Sequence, residues 1–198
     1  MAERSPNVIV LAGPNGAGKT TVAPLVLRET LGLAEFVNAD TIAQGLAAFA
    51  PETVALEAGA ILHGRLRAIA AQRRDFAFES TLASRSLAPW LSELIADGYR
   101  FHLVFLWLSS ADAAVQRVAD RVRLSGHGVP ADTVRRRYER GLRNFFTLYR
   151  PLAAQWRFYD NTEPGGPRLI AAGKAPAVIR VFDPATWNRI EQEFGHGR

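Results

Sequence analysis

The chain of 198 residues has no cysteine, one methionine and two lysines, at positions 19 and 174. Without cysteine there is neither a disulfide framework nor a thiolate metal centre, which fits a reducing compartment. No apolar stretch approaches the roughly 18 residues of a membrane-spanning helix, and the run Val8–Ala12 is too brief for a secretory leader. A cytoplasmic protein with no membrane partner is therefore expected. The scarcity of lysine places nearly all of the 24 basic residues on arginine, against 19 acidic ones, for a net charge of +5. Arginine meets phosphate with a planar, two-pronged donor set, where lysine offers a point charge. Basic chains often bind nucleic acid. Here the arginines crowd into residues 117–143, so local work on a small phosphate fits better than a nucleic-acid surface.

What is present is ordinary for a globular domain, with 48% hydrophobic and 22% charged residues. The length suits one domain spanning residues 1–198. Five apolar segments read as strands: Asn7–Ala12, Glu35–Asn38, Asp75–Glu79, Phe101–Leu108 and Arg157–Tyr159. Helical stretches fall between them, over Thr20–Leu31, Asp40–Phe49, Pro51 to about Arg74, and Leu87–Ala96. The alternation predicts an α/β fold, a mostly parallel five-stranded sheet with helices on both faces. Near the end, Arg168–Ala172 and Ala177–Phe182, joined around Gly173-Lys174-Ala175-Pro176, predict an antiparallel hairpin. The helix Ala185–Phe194 follows it, so a hairpin-plus-helix unit occupies about 168–194. Pro164-Gly165-Gly166-Pro167 reads as a loop within the domain, and Met1–Pro6 as a frayed terminus.

One segment prescribes specific chemistry. The first strand runs into Gly13-Pro14-Asn15-Gly16-Ala17-Gly18-Lys19-Thr20-Thr21, the G-x-x-x-x-G-K-T spacing of a P-loop, and a helical stretch follows. Glycines let backbone N–H groups turn inward around a polyphosphate, while the start of the helix points its positive end at the same oxygens. Lys19 would reach the β- and γ-phosphates, and the Thr20 hydroxyl would meet Mg2+. Residues Gly13 to Thr21 are thus expected to hold a nucleoside triphosphate, in a P-loop NTPase fold.

Three further features distinguish what such a site does. Asn38-Ala39-Asp40 follows the second strand, and ligands of open α/β sheets sit at strand carboxyl ends. Asp40 is placed either to accept a proton from a substrate hydroxyl or to cap the helix that begins at Thr41. Glu79 ends the third strand in Phe76-Ala77-Phe78-Glu79-Ser80-Thr81-Leu82. Its carboxylate either orders a metal's water shell or a substrate hydroxyl, with Thr81 beside it, or bonds the N–H groups of the next turn. The third feature is the arginine block. In Asp112–Leu124 the residues Val115, Val118, Ala119 and Val122 share a helical face, leaving Arg117 and Arg121 opposite. From Ala131 a second helix places Val134, Tyr138, Leu142 and Phe145 on its core stripe, leaving Arg136, Arg140 and Arg143 facing away. Two helices across a Gly-rich turn make a lid over about residues 111–147, whose arginines would stabilise charge on a transferring phosphoryl group. Several would instead pair with Asp120, Asp132 and Glu139 on a solvated face. His127 reads as a turn residue.

The ordered set of segments resembles the zeta toxin family of P-loop kinases. The resemblance is carried by residues 12–21, Val37-Asn38-Ala39-Asp40, Phe76–Leu82, Arg121-Val122, Gly126–Pro130, Arg136-Arg137-Tyr138 and Tyr159-Asp160-Asn161-Thr162. It implies a kinase dependent on ATP and Mg2+ that phosphorylates a sugar hydroxyl of UDP-N-acetylglucosamine, blocked by an antitoxin protein. It also implies Asp40 as base, with Glu79 matching the acidic residue that ends the third strand. Lid arginines hold the γ-phosphate, with Arg121 and Arg136 the nearest matches and Arg140 behind them. Asn38, Asp40, Glu79 and Thr81 would then face the acceptor. The chain carries little beyond the kinase core, so another small hydroxylated acceptor, such as a metabolite or an antibiotic, is the alternative. A regulatory module that binds ATP without consuming it is a further one, and a nucleic-acid end kinase is the least favoured.

Overall fold

The apolar run Asn7–Ala12 forms β1, and its residues Val8 to Ala12 are all buried. A strand apolar on both faces must be covered on both sides, which places it inside a sheet rather than at an edge. The computed structural model describes residues 4–29, 35–125, 128–174 and 177–196. The other strands are β2 (Phe36–Val37), β3 (Phe76–Ser80), β4 (Arg100–Trp107), β5 (Gln155–Asp160), β6 (Arg168–Lys174) and β7 (Ala177–Val181). They form one seven-stranded sheet in the order β2-β3-β1-β4-β5-β6-β7. The pairs β2–β3, β3–β1, β1–β4 and β4–β5 are parallel, whereas β5–β6 and β6–β7 are antiparallel. The five parallel strands are those expected, shifted by one or two residues at their ends. The C-terminal hairpin is not a separate unit, because β6 pairs with β5 and extends the same sheet.

The helices show where proline acts. α1 (Lys19–Ala23) gives way at Pro24 to a π-helical turn, Pro24–Glu29, because proline supplies no N–H and crowds the preceding turn. α2 (Ala39–Leu46) and α3 (Ala55–Ala71) follow, the latter entered through a 3-10 turn, Pro51–Val54. α4 (Leu87–Ala96) has the limits read from sequence. α5 (Ala111–Ser125) and α6 (Ala131–Asn144) form the expected pair, and α6 runs on into a π turn, Phe145–Tyr149. α7 (Pro184–Phe194) closes the chain, its Thr186 N–H accepted by the Asp183 carboxylate. The expected helix end at Leu31, His127 and the hairpin turn at Ala175-Pro176 lie outside the described residues. Among the described residues no single helix is long and apolar enough to cross a membrane.

An aromatic cluster fastens the hairpin and α7 to the parallel core. Trp156 and Trp187 stack with ring centroids 5.4 Å apart, and Phe146 and Phe158 pack on Trp187 at 5.3 and 5.6 Å. The Arg150 guanidinium lies over Phe146 and Trp156 while bonding Glu191 of α7 at 3.0 Å. Trp187 is fully buried, so its removal leaves a cavity at the junction. Trp187→Ala is expected to cost about 3–5 kcal/mol, lowering the urea midpoint in a single transition. A loss below about 1 kcal/mol, or a separate early transition, would show that the C-terminal unit is not part of the common core.

Candidate active site

The parallel strands β1, β3, β4 and β5 deliver their carboxyl ends to one edge of the sheet, and the expected residues gather there. β1 ends at Ala12, and Gly13 leaves with φ +142°, donating its N–H to the Ser80 carbonyl of β3 at 3.2 Å. A Cβ on Gly13 would fall 2.2 Å from the Leu106 carbonyl of β4, so only glycine passes between the two strands. The loop closes on itself where Ala17 N–H bonds the Pro14 carbonyl, and the helical run begins at Lys19. The Lys19 ammonium donates to the carbonyls of Gly13 and Pro14, each at 3.0 Å. Burial lowers its pKa, opposed by the charges of Glu79 and Asp40 and reinforced by Arg121 and Arg137. Those five groups therefore form one electrostatic cluster.

Asp40 is not the cap of its helix. Asn38 holds that position, its Oδ1 accepting the Asp40 backbone N–H at 2.7 Å. The Asp40 carboxylate sits exposed in the first turn of α2, clear of the capping bond. Asn38 itself is buried, and its Nδ2 lies 3.4 Å from the Thr20 hydroxyl. Both ends of one amide are thus engaged, one on the helix start and one on the hydroxyl expected to meet Mg2+.

Glu79 is relieved in the same way. The turn after β3 is satisfied by its hydroxyls, with the Leu82 N–H bonding Ser80 Oγ at 3.0 Å and the Ala83 N–H reaching Thr81 Oγ1 at 3.4 Å. Glu79 Oε1 is buried with no hydrogen-bond partner among the described residues. Burial raises the Glu79 pKa, opposed by the Lys19 charge and by hydrogen bonds from Thr20 and Asn38. The loop beyond is clamped from above. Leu82 adopts φ +54°, rare for a bulky residue, and its carbonyl accepts the buried Asn144 amide at 2.7 Å. Tyr149 OH donates to the Ser84 carbonyl.

The arginines divide differently from the expectation. Arg121 and Arg137 act on Lys19, and Arg137 Nη1 lies 3.4 Å from Asn15 Oδ1 in the loop. Arg136 is exposed and bonds Thr133 on its own helix at 3.3 Å, and Arg140 is exposed as well. Arg117 is half-buried and donates to the Thr162 carbonyl, so it pins the loop after β5. The expected solvated pairing holds for Arg123 with Asp120 and for Arg135 with Asp132, and Arg135 pairs with Asp112 as well, a partner outside the expected set.

Two residues at the site were missed. The helical pattern points to the face opposite the core stripe, whereas Arg137 lies on the flank of that stripe. Three residues beyond the buried Ala114, Val118 and Val134 lie Arg117, Arg121 and Arg137, and along that flank Arg117 approaches Gly16 and Arg137 reaches Asn15. Asn161 is the second, its Nδ2 donating to the Ala17 carbonyl at 2.8 Å. It was visible only as one letter of a weak motif.

The sequence signature of the zeta toxin family matches residues 1–161. An uncharacterised protein of Haemophilus influenzae is 25% identical over 130 residues, which cover 66% of this chain and 91% of its own length. Among solved structures, a chain of the AvrRxo1-ORF1:AvrRxo1-ORF2 complex with sulphate ions superposes with a TM-score of 0.73 at 16% identity. The match covers 94% of this chain but 63% of that one, so the present chain spans less than two thirds of its length. The PezAT toxin-antitoxin system of Streptococcus pneumoniae superposes with a TM-score of 0.69 at 14% identity, covering 100% of this chain and 82% of its own. At such identities the structural likeness is one of fold, that of an α/β P-loop protein with a mostly parallel sheet. The family signature, by contrast, spans the phosphate loop, both carboxylates and the arginine-bearing helices. By that match the chain belongs to the zeta toxin family, on a P-loop kinase scaffold.

Proposed function

We propose that this protein transfers the γ-phosphate of ATP to a hydroxyl group of a small acceptor. One observation carries the reading: neighbours take over the capping and turn-forming work that would otherwise occupy Asp40 and Glu79. A module that only holds nucleotide gains nothing from an uncommitted carboxylate beside its phosphates, which it would repel. A phosphotransferase needs one to receive the acceptor's proton. Asp40 has that role here. Gly13 to Thr21 hold the phosphates, and Lys19 exchanges the neutral carbonyls of Gly13 and Pro14 for charged phosphate oxygens, which accept more strongly. Arg121 and Arg137 offset charge on the phosphoryl group in flight, with Arg137 in the place first given to Arg136 and Arg140 further out. Asn38, Glu79 and Thr81 line the acceptor side.

The residues fit Mg2+. Thr20 offers a hard hydroxyl oxygen, and the unpartnered Glu79 Oε1 belongs to the same cluster. Among the described residues no group of three acidic, histidine or cysteine side chains could cage an ion alone. When bound, the ion would neutralise phosphate charge with Thr20 as its protein ligand, phosphate oxygens and water completing the shell.

For the acceptor we favour a UDP-N-acetyl sugar, which membership of the zeta toxin family supports. A cytoplasmic location and an antitoxin partner belong to the same reading. The partner is supported by the complexes in which the structural neighbours were solved, AvrRxo1-ORF1 with AvrRxo1-ORF2 and PezAT. The ATP complex of the former supports the nucleotide. A panel of hydroxylated acceptors incubated with ATP and Mg2+ identifies the substrate, and UDP-N-acetylglucosamine is expected to be phosphorylated.

Lys19→Ala is expected to reduce ATP turnover by about 100-fold or more, and near-wild-type turnover would dismiss the site. Asp40→Asn is expected to keep ATP affinity within about twofold while transfer to the acceptor falls by about 100-fold. Surviving transfer would remove Asp40 from the role of base. For Glu79 the expectation concerns stability. A carboxyl whose folded pKa is raised binds its proton more tightly in the native state, so stability is lost as pH rises from the unfolded value near 4.5 through the raised one. Glu79→Gln removes that cost. Its Tm should exceed the wild type's at pH 7.5, with the gap closing as pH falls toward 4.5. A lower Tm at pH 7.5 would mean that attraction to Lys19 outweighs burial.

A further inference from the structure

The loop after β5 touches the phosphate loop at Ala17. Asn161 donates its backbone N–H to the Trp107 carbonyl at 2.9 Å, continuing the β4–β5 ladder past the strand end. Its side-chain Nδ2 donates to the Ala17 carbonyl at 2.8 Å. The approach is close enough that a Cβ on Gly18, itself at φ +79°, would lie 2.8 Å from that nitrogen.

The geometry of the peptide bond gives this contact a consequence. The Ala17 carbonyl and the Gly18 N–H belong to one planar, trans unit and point in opposite directions. Whatever holds the carbonyl outward aims the N–H inward. Among the described residues no backbone carbonyl accepts the Gly18 N–H, so this donor is left to the concave side of the loop. On the reading of Gly13–Thr21 as a nucleotide site, we infer that Asn161 is a positioning residue that orients the Gly18 N–H toward the bound polyphosphate.

Asn161 is itself held from several sides. The Thr162 N–H bonds Asp160 Oδ1 at 2.9 Å, and Thr162 Oγ1 accepts the Ser109 N–H at 2.9 Å. Arg117 of α5 donates to the Thr162 carbonyl. Asp160 Oδ2 accepts from Arg168 of β6 at 3.2 Å, and Arg168 also bonds Asp183 at 2.9 Å, at the start of α7. The hairpin and last helix, beyond the residues matched by the family signature, thus brace the segment that sets the phosphate loop. Only a side chain that donates a hydrogen bond serves at this position, because the partner is a carbonyl.

The test measures ATP affinity by titration calorimetry with Mg2+, using the full chain, Lys19→Ala, Asn161→Ala, Asn161→Asp and Leu91→Ala. Leu91 is buried in α4, away from the loop after β5 and the elements that brace it, so its truncation reports loss of stability alone. Asn161→Ala should weaken ATP about tenfold, the size of one well-placed hydrogen bond, while Leu91→Ala lowers Tm and leaves affinity unchanged. At pH 8 the isosteric Asn161→Asp should bind at least as weakly as Asn161→Ala, since its carboxylate faces a carbonyl. Affinity for Asn161→Ala within twofold of wild type, or an Asn161→Asp variant that binds ATP at pH 8 more tightly than Asn161→Ala, would overturn the inference. Equal ATP binding by wild type and Lys19→Ala, or none by either, would instead overturn the nucleotide site and this inference with it.

Discussion

A cradle made of backbone N–H groups has to be rigid before its anion arrives, and its glycines offer no side chains to brace it. The segment Gly13–Gly18 meets that constraint by borrowing support from almost every element around it. β3 accepts the Gly13 N–H, β4 comes so near that only glycine fits, and the Lys19 ammonium ties the carbonyls of Gly13 and Pro14. α6 reaches Asn15 through Arg137, and the loop after β5 holds the Ala17 carbonyl through Asn161. Supports from β3, β4 and β5 converge only if β1 lies inside a parallel sheet. The buried run Val8–Ala12 therefore does more than fill the core, since it fixes which elements can surround the loop.

The same economy governs the carboxylates. An acidic residue at a strand end or in the first turn of a helix is normally absorbed by local hydrogen bonding. Here Asn38 caps α2 in place of Asp40, and Ser80 and Thr81 satisfy the turn in place of Glu79. Both substitutions use residues within two positions of the acid they release. The chain also bears local strain at Leu82, in the left-handed region, where the Asn144 amide anchors its carbonyl. Strain of this kind costs about 1–3 kcal/mol and persists where surrounding contacts over-determine it.

Much of this was legible in sequence because its signals are local. The parallel strands announce themselves as short apolar runs, the phosphate loop as fixed glycine spacing, and the pair α5 and α6 as a helical stripe broken by glycines. What was not legible depended on distance or direction. The pairing of β6 with β5 is a contact between segments whose own pattern says only that they form a hairpin. Whether Asp40 capped its helix hinged on a choice between residues 38 and 40 that composition leaves open, since both side chains are good caps. Arg137 was missed for a geometric reason: a helix touches its neighbours along the flanks of its core stripe as well as through the stripe, so the back of the helix was the wrong face to search. Asn161 carries no pattern, and its role lies in a bond to a residue 144 positions away.

The charge distribution follows from these placements. Lys19, Arg121 and Arg137 act on one another as like charges, and burial adds to the cost of keeping Lys19 ionised. Asp40 and Glu79 offset part of that repulsion, but Glu79 is itself held unfavourably by burial. The cluster is thus strained electrostatically as it stands, with three cations facing two carboxylates in a partly dry site. A polyphosphate would relieve the cations by placing negative charge beside them. The single lysine of the site contributes a point charge tied to the carbonyls of Gly13 and Pro14, while the arginines bring planar donor sets from α5 and α6. At this one edge of the sheet each kind of cation has a different task.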